Sequence, residues 1–438
     1  MSERNAGAIP FNSHPQSYWA ATGGLTQALP VLTSDAEVDA VIVGAGFTGL
    51  SAAYRLAGAG AKCLVLEAND VGWGASGRNG GMVVPRFKHT FPELAKRYGA
   101  PIAIDMYHAA HRAVDLIEAI VHDEGMDCGF SRCGHLTPFV QEQTGRRFEA
   151  DAMWLASEVA DNAPRILDRA EIERRSGSTF YRGAYFEPRG GAIHPLRFCR
   201  QLATAVTQRG GRIHVHTPVL SFSSDGAFTT VRTPRATVKA RKLLLATNAY
   251  TDLTGAGDEV KRRIVPVTSS LIATEPLNPA IRATVLPLGN VVTDAKRLTN
   301  YFRISDDGRM IFGGRGGASN KESSRIYRRL AREMEQIYPS LSGQRVEYKW
   351  SGRVAVTLDG LPHVGKIAES TFFAMGYNGR GIALSILLGQ MLADLSRGEA
   401  VATRPLIDPL QPISFHAFRL PGKKIVMTYY KALDALGL

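Results

Sequence analysis

Cysteine is scarce in this chain of 438 residues: Cys63, Cys128, Cys133 and Cys199 are the four, and no two form a C-x-x-C pair. So few cysteines cannot build a disulfide framework, and their spacing excludes the usual zinc-ribbon and thioredoxin-type motifs. The chain also lacks an uninterrupted apolar run of about 18 residues, so no membrane span is predicted. The first 33 residues contain no continuous apolar segment typical of an export signal. These absences favour a reduced, cytoplasmic setting.

Acidic residues are outnumbered by basic ones. The 52 Lys and Arg against 40 Asp and Glu give a net charge of +12, which is spread along the chain apart from short runs such as 261–263 and 325–332. This distribution indicates a solvated basic surface or a site for anionic ligands. The sequence lacks the dense basic stripe with stacking aromatic residues that would predict nucleic-acid binding. Apolar residues make up 45% of the chain, which is ordinary for a globular protein, and the length predicts about two or three compact units.

The strongest motif is a glycine turn between a predicted strand and a predicted helix. Residues 38–43 are apolar and β-branched, as in a buried parallel strand, and Gly44, Gly46 and Gly49 then form a G-x-G-x-x-G sequence before a segment of helical period. Gly44 allows the tight turn, Gly46 lets the backbone approach a pyrophosphate, and Gly49 lets helix and strand pack closely. The first residues of the helix, whose free N–H groups favour phosphate, are Phe47 and Thr48.

An acidic residue follows the next predicted strand, 62–66. Glu67 lies 18 positions after Gly49, with Ala68 behind it, and a carboxylate there accepts hydrogen bonds from the ribose hydroxyls of an adenosine. The same charge disfavours a 2′-phosphate and therefore NADP. The motif and this carboxylate together predict a βαβ unit that binds a dinucleotide.

A second loop of small residues, 72–81, comes directly after this unit. A domain that binds only a nicotinamide cofactor does not need such a loop, whereas an isoalloxazine ring lies across backbone N–H groups of this kind. We therefore predict a flavin, with Ser76, Arg78 and Asn79 as donors to its pyrophosphate and ribityl chain. The loop residues assigned to the cofactor are Gly74, Ala75, Ser76, Arg78, Asn79, Gly80, Gly81 and Met82.

Helical and strand-like segments follow one another through the rest of the chain. Helices are predicted within 91–125 and 141–176, and at 195–208, 325–338, 381–395 and, as a basic tail, 422–438. Strands are predicted at 134–140, 212–216, 242–246, 264–274, 301–304 and 310–313. The pattern indicates an α/β protein with two domains, each assembled from pieces that are not contiguous in sequence.

Five separated stretches resemble the D-amino-acid-oxidase-like flavoproteins, the family of glycine and sarcosine oxidases, and are most similar to its gamma-glutamylputrescine oxidase branch. They are 17–21, 74–81, 195–197 with the strand reaching 217–219, 350–353 with 359–362, and 376–382. The resemblance implies a glutathione-reductase-like, FAD-binding Rossmann domain and a substrate domain with a mixed or antiparallel sheet. The implied boundaries are 1–90, 188–265 and 348–438 for the first domain, and 91–187 and 266–347 for the second.

The activity implied by this resemblance is oxidation of a C–N bond in a small amine or amino-acid-like substrate. A hydride passes to flavin N5, the imine hydrolyses, and dioxygen is the expected acceptor of the electrons, giving peroxide. Sarcosine oxidases carry a lysine for the substrate carboxylate where this chain has Ala383, so a gamma-glutamylputrescine-like or N-substituted amine is favoured. No cysteine follows Cys199, so FAD is expected to bind non-covalently.

The resemblance also implies positions for the reacting groups. Reduction of the flavin puts negative charge near N1 and O2, so either Arg380 or Arg353 is expected to supply a cation there. Arg303 is a candidate clamp for a carboxylate, with an exposed strand arginine as the alternative, and Tyr301 close to it is a further candidate catalytic residue. His363 is expected near the flavin, with a structural histidine as the alternative. The remaining positions implied for the cofactor are Val219, Ala246, Thr247, Gly376, Tyr377, Asn378, Gly379, Gly381 and Ile382.

Two other functions stay open on the sequence alone. A dehydrogenase of the same fold would pass electrons to a quinone or an electron-transfer protein, with Lys423, Lys424 and Lys431 of the tail as its docking surface. A flavoenzyme that modifies RNA would use the net positive charge of the chain to bind RNA, although the sequence contains no nucleic-acid-binding module. His214 and His216 lack a third ligand, so no metal site is predicted. The oligomeric state is left open.

Overall fold

The computed structural model describes residues 13–254, 258–315, 323–401, 403–407 and 410–413. The helices in these ranges are α1 Tyr18–Thr22, α2 Phe47–Gly58, α3 Phe91–Tyr98, α4 Ala100–Asp123, α5 Glu142–Glu158, α6 Arg169–Ser176, α7 Pro195–Gln208, α8 Asp258–Lys261, α9 Pro279–Thr284, α10 Ser324–Ile337, α11 Gly381–Ser396 and α12 Arg404–Ile407. The tail segment 422–438, with its three lysines, lies outside the described residues. None of the helices within the described ranges is both long and apolar enough to cross a membrane.

The strands are β1 Ala36–Val43, β2 Cys63–Leu66, β3 Met82–Val83, β4 His135–Phe139, β5 Arg165–Leu167, β6 Gly183–Glu187, β7 Gly191–Ala192, β8 Arg212–His214, β9 Ser221–Ser224, β10 Thr229–Arg232, β11 Thr237–Leu245, β12 Val265–Pro276, β13 Val291–Thr293, β14 Asn300–Ile304, β15 Arg309–Arg315, β16 Val346–Val356, β17 His363–Ala368 and β18 Thr371–Met375. They form two eight-stranded sheets and the small pair β3–β7.

The first sheet has the strand order β17-β18-β11-β1-β2-β8, and β10 and β9 extend it beside β11. Its centre is parallel, because β1 pairs in parallel with both β2 and β11. Both faces of β1 are buried: Ile42 packs with Leu50 of α2, while Val41 packs on the other face with Leu243. Strands covered on both sides are typical of doubly wound α/β folds. The predicted unit of strand, glycine turn, helix and strand is therefore confirmed.

The second sheet has the order β16-β12-β15-β14-β13-β4-β6-β5 and is antiparallel except for the pair β13–β4. Helix α10 covers one face of it with Leu330 and Met334. This is the mixed sheet that the resemblance implies. Strand β16 belongs to this sheet although most of it lies within 348–438, the segment assigned to the FAD-binding domain. The domain boundaries stay a prediction.

Several strands have no counterpart among the predicted ones, including β6, β9, β10, β16, β17 and β18, and β5 interrupts a segment predicted to be helical. Residues 141–176 are helical in period, yet β5 separates α5 from α6 and pairs with β6 at the edge of the second sheet. The reason is its length: three residues are too few to give the alternation by which a strand is recognised.

Candidate active site

A cavity of about 840 Å³ lies between the two sheets. The ends of β1 and β2 form one wall with Val43 and Leu66, and the second sheet forms another with Thr137, Ser269 and Tyr301. Its volume is in the upper part of the range of about 300–1,000 Å³ for small-molecule sites. Ligands of α/β sheets bind beyond the carboxyl ends of parallel strands, which is where this cavity lies.

Most of the residues predicted to bind the cofactor line this cavity. They are Gly44, Gly46, Phe47, Thr48, Glu67, Ala68, Gly74, Ala75, Ser76, Arg78, Asn79, Gly80, Met82, Val219, Ala246, Thr247, Arg353, Tyr377, Asn378, Gly379, Arg380, Gly381 and Ile382. Gly49, Gly81 and Gly376 lie behind the wall and shape the backbone. A Cβ on Gly81 would stand 2.4 Å from the carbonyl oxygen of Ile193, and φ is +71° there. These three glycines therefore serve the site through packing.

The glycine turn brings the two predicted cofactor loops together. Gly44 has φ +106°, a conformation that favours glycine. A Cβ on Gly46 would stand 2.9 Å from Ser76 Oγ, and the N–H of Phe47 donates a hydrogen bond of 2.9 Å to that oxygen. Ser76 was predicted as a donor to the pyrophosphate. In the structure its hydroxyl oxygen accepts this hydrogen bond and so joins the second loop to the N-terminus of α2, while the predicted donation by its O–H stays a prediction.

The carboxylate of Glu67 is held by backbone groups. Its Oε2 accepts from the N–H of Ala45 at 2.8 Å, and its Oε1 accepts from the N–H of Asn69 at 2.9 Å. Burial raises the pKa of Glu67, and these two hydrogen bonds oppose that shift. Because an ionised carboxylate has about four acceptor sites, the fixed group keeps acceptor capacity for a ligand. Its contact with ribose hydroxyls stays a prediction.

The loop 72–81 is closed by its own polar side chains. Arg78 lies over the ring of Trp73 at 4.3 Å, donates from Nε to the carbonyl of Trp73 at 2.7 Å, and donates from Nη1 to the carbonyl of Ser351 at 3.2 Å. Asn79 donates from Nδ2 to the carbonyl of Ala75 at 3.2 Å. Both side chains were predicted as donors to the cofactor. In the structure these groups donate to the carbonyls of Trp73 and Ala75 in the loop and of Ser351 in β16, and their donation to the cofactor stays a prediction.

Two indole groups hold the same loop from its outer side. Trp19 Nε1 donates to the carbonyl oxygen of Asn79 at 2.7 Å, and Trp350 Nε1 donates to that of Arg78 at 3.0 Å. Both indoles are fully buried, and their ring centroids lie 6.4 Å apart. The sequence reasoning used the stretch around Trp19 only as part of a resemblance and gave it no role. The structure makes it a support of the second cofactor loop.

Of the two arginines proposed to supply positive charge, the surroundings favour Arg380. It is half-buried at the start of α11, and no acidic side chain pairs with it among the described residues. Burial, followed by the guanidinium groups of Arg86 and Arg147, lowers the pKa of Arg380 to about 10, so it remains charged at neutral pH. Arg353 also lines the cavity, but its Nη1 binds Asp252 at 2.9 Å and is neutralised there.

Arg303 and His363, which were also predicted to be catalytic, do not line the cavity. Arg303 is buried and donates from Nη1 to the carbonyls of Gly81 at 3.1 Å and Ile193 at 3.0 Å. These backbone acceptors take up Nη1, and Arg303 does not line the cavity, so its role as a carboxylate clamp stays a prediction that the structure does not support. His363 is buried with Nε2 2.8 Å from Asp359 Oδ2, a structural position.

Tyr301, the fourth predicted catalytic residue, does line the cavity. Its hydroxyl lies 2.8 Å from Ser269 Oγ, which fixes the orientation of the ring. A Cβ on Gly80 would stand 2.9 Å from this ring. The second sheet therefore meets the second cofactor loop at Tyr301.

The sequence reasoning missed one charged residue of the wall. Arg86 is 4% exposed and lines the cavity between β3 and α3. Its Nη2 donates to Asp151 Oδ2 at 2.8 Å, and its guanidinium lies over the ring of Tyr185 at 4.3 Å. In the part of the chain that the structure describes, its Nη1 has no hydrogen-bond partner. Residues 84–90 match no motif, so only the charge of Arg86 was a signal.

A glycine turn at a helix N-terminus, a fixed carboxylate and a second small-residue loop that share one cavity define a dinucleotide-dependent enzyme. The chain belongs to the FAD dependent oxidoreductase family, whose family model matches residues 39–395. It is an oxidoreductase, and FAD is its cofactor. The glycine turn, Glu67 and the loop 72–81 fit this group, because the close approaches at Gly46 and Gly80 leave no room for side chains on the loops that would hold it.

Individual relatives agree with this family. The chain is 32% identical to the probable oxidoreductase OrdL of Haemophilus influenzae, covering 97% of this chain and 98% of that protein. It is 28% identical to gamma-glutamylputrescine oxidoreductase of Escherichia coli, covering 98% of this chain and all of that protein. The crystal structure of glycine oxidase from Geobacillus kaustophilus superimposes with a TM-score of 0.72 at 20% identity, covering 86% of this chain and all of the other. The last comparison concerns the fold alone.

Replacing Trp19 by Phe is expected to weaken FAD binding about fivefold. The substitution keeps an aromatic ring but removes the N–H donor to the loop 72–81, and a hydrogen bond of this kind contributes about 1 kcal/mol. Titration of the FAD-free protein, followed by flavin fluorescence, measures the dissociation constant. The control is Trp154→Phe in α5, which packs on Phe91 away from the cavity and should leave that constant unchanged. Equal dissociation constants for both variants would contradict the role given to Trp19.

Proposed function

We propose that this chain oxidises the C–N bond of an amine or amino-acid-like substrate, with gamma-glutamylputrescine-like or N-substituted amines favoured. The observation that carries the proposal is the shared cavity: Tyr301 and Ser269 of the second sheet face the loop that would hold the flavin. The relative that acts on gamma-glutamylputrescine, which aligns over its whole length, supports this substrate class. The glycine turn, Glu67 and the loop 72–81 would hold FAD, which would supply the two-electron acceptor for oxidation of the C–N bond, with dioxygen as the final acceptor giving peroxide.

The residues of the chain contribute charge and shape. Arg380 and the N-terminus of α11 put positive charge at one wall, where it favours negative charge developing on a reduced acceptor. Helix α11 is fixed against α2, since Ser51 Oγ donates to the carbonyl of Ile386 at 2.7 Å and a Cβ on Gly389 would stand 2.5 Å from the carbonyl of Thr48. The charge is therefore held in a rigid position. Preorganised charge of this kind lowers a barrier without reorganisation during the reaction.

Anaerobic bleaching of the bound flavin tests the proposal. The substrate panel contains gamma-glutamyl polyamines, N-methyl amines, cyclic imino acids and D-amino acids, and dithionite serves as the control that the flavin can be reduced. The first two classes should bleach the flavin fastest. Reoxidation under air should then release peroxide in proportion to the substrate consumed. If only dithionite bleaches the flavin, the proposed substrate class is rejected, and bleaching without peroxide would favour the dehydrogenase alternative.

A further inference from the structure

One sulfur-containing side chain lines the cavity. It is Met82, and no other methionine or cysteine among the residues that the structure describes belongs to the cavity wall. Met82 is the first residue of β3, and its pairing with Ala192 of β7 fixes its backbone. Its sulfur accepts a hydrogen bond from Oγ1 of Thr293 on β13 at 3.6 Å. The thioether is therefore held where the end of the loop 72–81 meets the second sheet.

The thiols of the chain do not compete with this thioether for an oxidant. Cys63, Cys128 and Cys199 are buried, and none of the four cysteines lines the cavity. Burial raises the pKa of Cys63 to about 11 and that of Cys128 to about 12, so both stay protonated at neutral pH. A protonated thiol reacts slowly, because the thiolate is the nucleophile. A thioether has no proton to lose, and its sulfur keeps its lone pairs throughout this pH range.

The proposed function supplies an oxidant in the same cavity. The loop 72–81 would hold the flavin, and Met82 directly follows this loop, so the peroxide that dioxygen yields is formed in the cavity that contains the thioether. Peroxide converts methionine to its sulfoxide. A lone pair of the sulfur takes one oxygen atom, the O–O bond breaks, and the second oxygen leaves as water. The sulfur is oxidised by two electrons and the peroxide is reduced by two.

The surroundings of Met82 give the added oxygen both a partner and little space. The hydroxyl of Thr293 already donates to the sulfur, and the oxygen of a sulfoxide is polar and accepts such a hydrogen bond. A Cβ on Gly80 would stand 3.5 Å from Cε of Met82 and 2.9 Å from the ring of Tyr301. An oxygen bound to the sulfur therefore narrows the cavity between the loop 72–81 and the second sheet.

We propose that Met82 is an oxidation site, converted to methionine sulfoxide by the peroxide that the enzyme itself produces, and that this change slows turnover. The inference rests on the proposed function for the source of the peroxide, but not for the susceptibility of the thioether. Activity then falls with the cumulative amount of peroxide formed in the cavity, rather than with the concentration of peroxide in the solution.

Peptide mass spectrometry of the FAD-loaded protein tests the site. Light and EDTA reduce the flavin and air reoxidises it in repeated cycles, so no amine is needed, and catalase removes peroxide from the bulk solution. Met153 on α5 is 66% exposed and reports bulk peroxide. The ratio of sulfoxide at Met82 to sulfoxide at Met153 should be about tenfold or more higher than after treatment of resting protein with added peroxide. Equal ratios under the two treatments overturn the proposal.

Activity during turnover gives the second measurement. With catalase present, wild type should lose activity progressively while it oxidises an amine that bleaches the flavin. Met82→Leu keeps a side chain of similar volume without sulfur, so whatever activity it has should decay about threefold or more slowly. The control Met153→Leu should decay like wild type. Decay of Met82→Leu at the wild-type rate overturns the proposal.

The two measurements separate this site from the proposed function. If the cycles driven by light oxidise Met82 but no amine bleaches the flavin, the oxidation site stands and the proposed function falls. If amines bleach the flavin and peroxide is released while Met82 stays unmodified, the proposed function stands and the oxidation site falls.

Discussion

Replacing Gly49 by Ala is expected to yield protein that purifies without FAD and whose free energy of unfolding is lower by about 3 kcal/mol. A Cβ at this position would stand 1.9 Å from the carbonyl oxygen of Gly44 and 3.2 Å from Cγ2 of Ile42. The first of these atoms is backbone of the glycine turn itself and cannot rotate away. The helix α2 must therefore move from β1, and the turn that faces the cofactor moves with it.

Gly58→Ala at the end of the same helix is the matched control. A Cβ there would meet only Nη1 of Arg209, at 3.1 Å, which is the end of a flexible side chain. Ala is favoured over Gly in a helix by about 1 kcal/mol, so this variant should keep its flavin and be as stable as wild type or more so. The measurements are the ratio of flavin to protein absorbance and urea unfolding. Gly49→Ala with full flavin content and unchanged stability would contradict the close packing of the turn.

The fold could be predicted where the determining contacts are local. The turn at Gly44 and Gly46 needs its glycines for reasons that lie within a few residues, and the apolar run before it follows from burial on both faces. Helix α7 begins and ends where its Pro195 and the following glycines predict. Strand β5 could not be predicted from local contacts, because its three residues form a strand only through their pairing with β6.

The site could be predicted only in part, because several of its decisive contacts are long-range. Trp19 reaches Asn79 across 60 residues, and Trp350 reaches Arg78 across 272. Nothing local in the sequence marks those indoles as supports of the loop. Arg303 shows the converse, since its motif position suggested a ligand while the carbonyl of Ile193, 110 residues away, occupies its guanidinium. Predictions of a side chain's ligand fail where a distant backbone group competes for it.

Arg86 illustrates why a missed residue can still be found by physical reasoning. No motif surrounds it, and a single basic residue in a chain of net charge +12 carries no information. The structure shows that Arg86 is buried and that Asp151 is its carboxylate partner. It also shows that Nη1 of Arg86 has no acceptor among the described residues. Asp151 compensates the charge, but a buried N–H group without an acceptor is costly, and this makes Nη1 stand out where the sequence gives no signal.

A buried acid at the cavity wall makes the stability of the protein depend on pH. Asp294 follows β13 and is buried, its Oδ1 accepts the N–H of Asn300 at 2.9 Å, and its Oδ2 has no hydrogen-bond partner in the described ranges. Burial raises the pKa of Asp294 from 3.8 to about 7, although Lys296 and the backbone N–H groups oppose the shift. The folded state therefore holds this proton more tightly than the unfolded state. The stabilisation is complete below about pH 4 and is lost as the pH rises through 7.

Asp294→Asn is accordingly expected to raise the free energy of unfolding at pH 8 by up to about 4 kcal/mol, and at pH 4.5 by only about 1 kcal/mol. Asn has the same shape, keeps an oxygen for the N–H of Asn300 and cannot ionise, so it avoids the burial of a charge. Urea unfolding at the two pH values gives the difference. Asp105→Asn on the exposed side of α4 is the control and should show no such dependence. The same offset at both pH values would mean that Asp294 does not take up a proton on folding, and that Lys296, 3.8 Å away, compensates its charge fully.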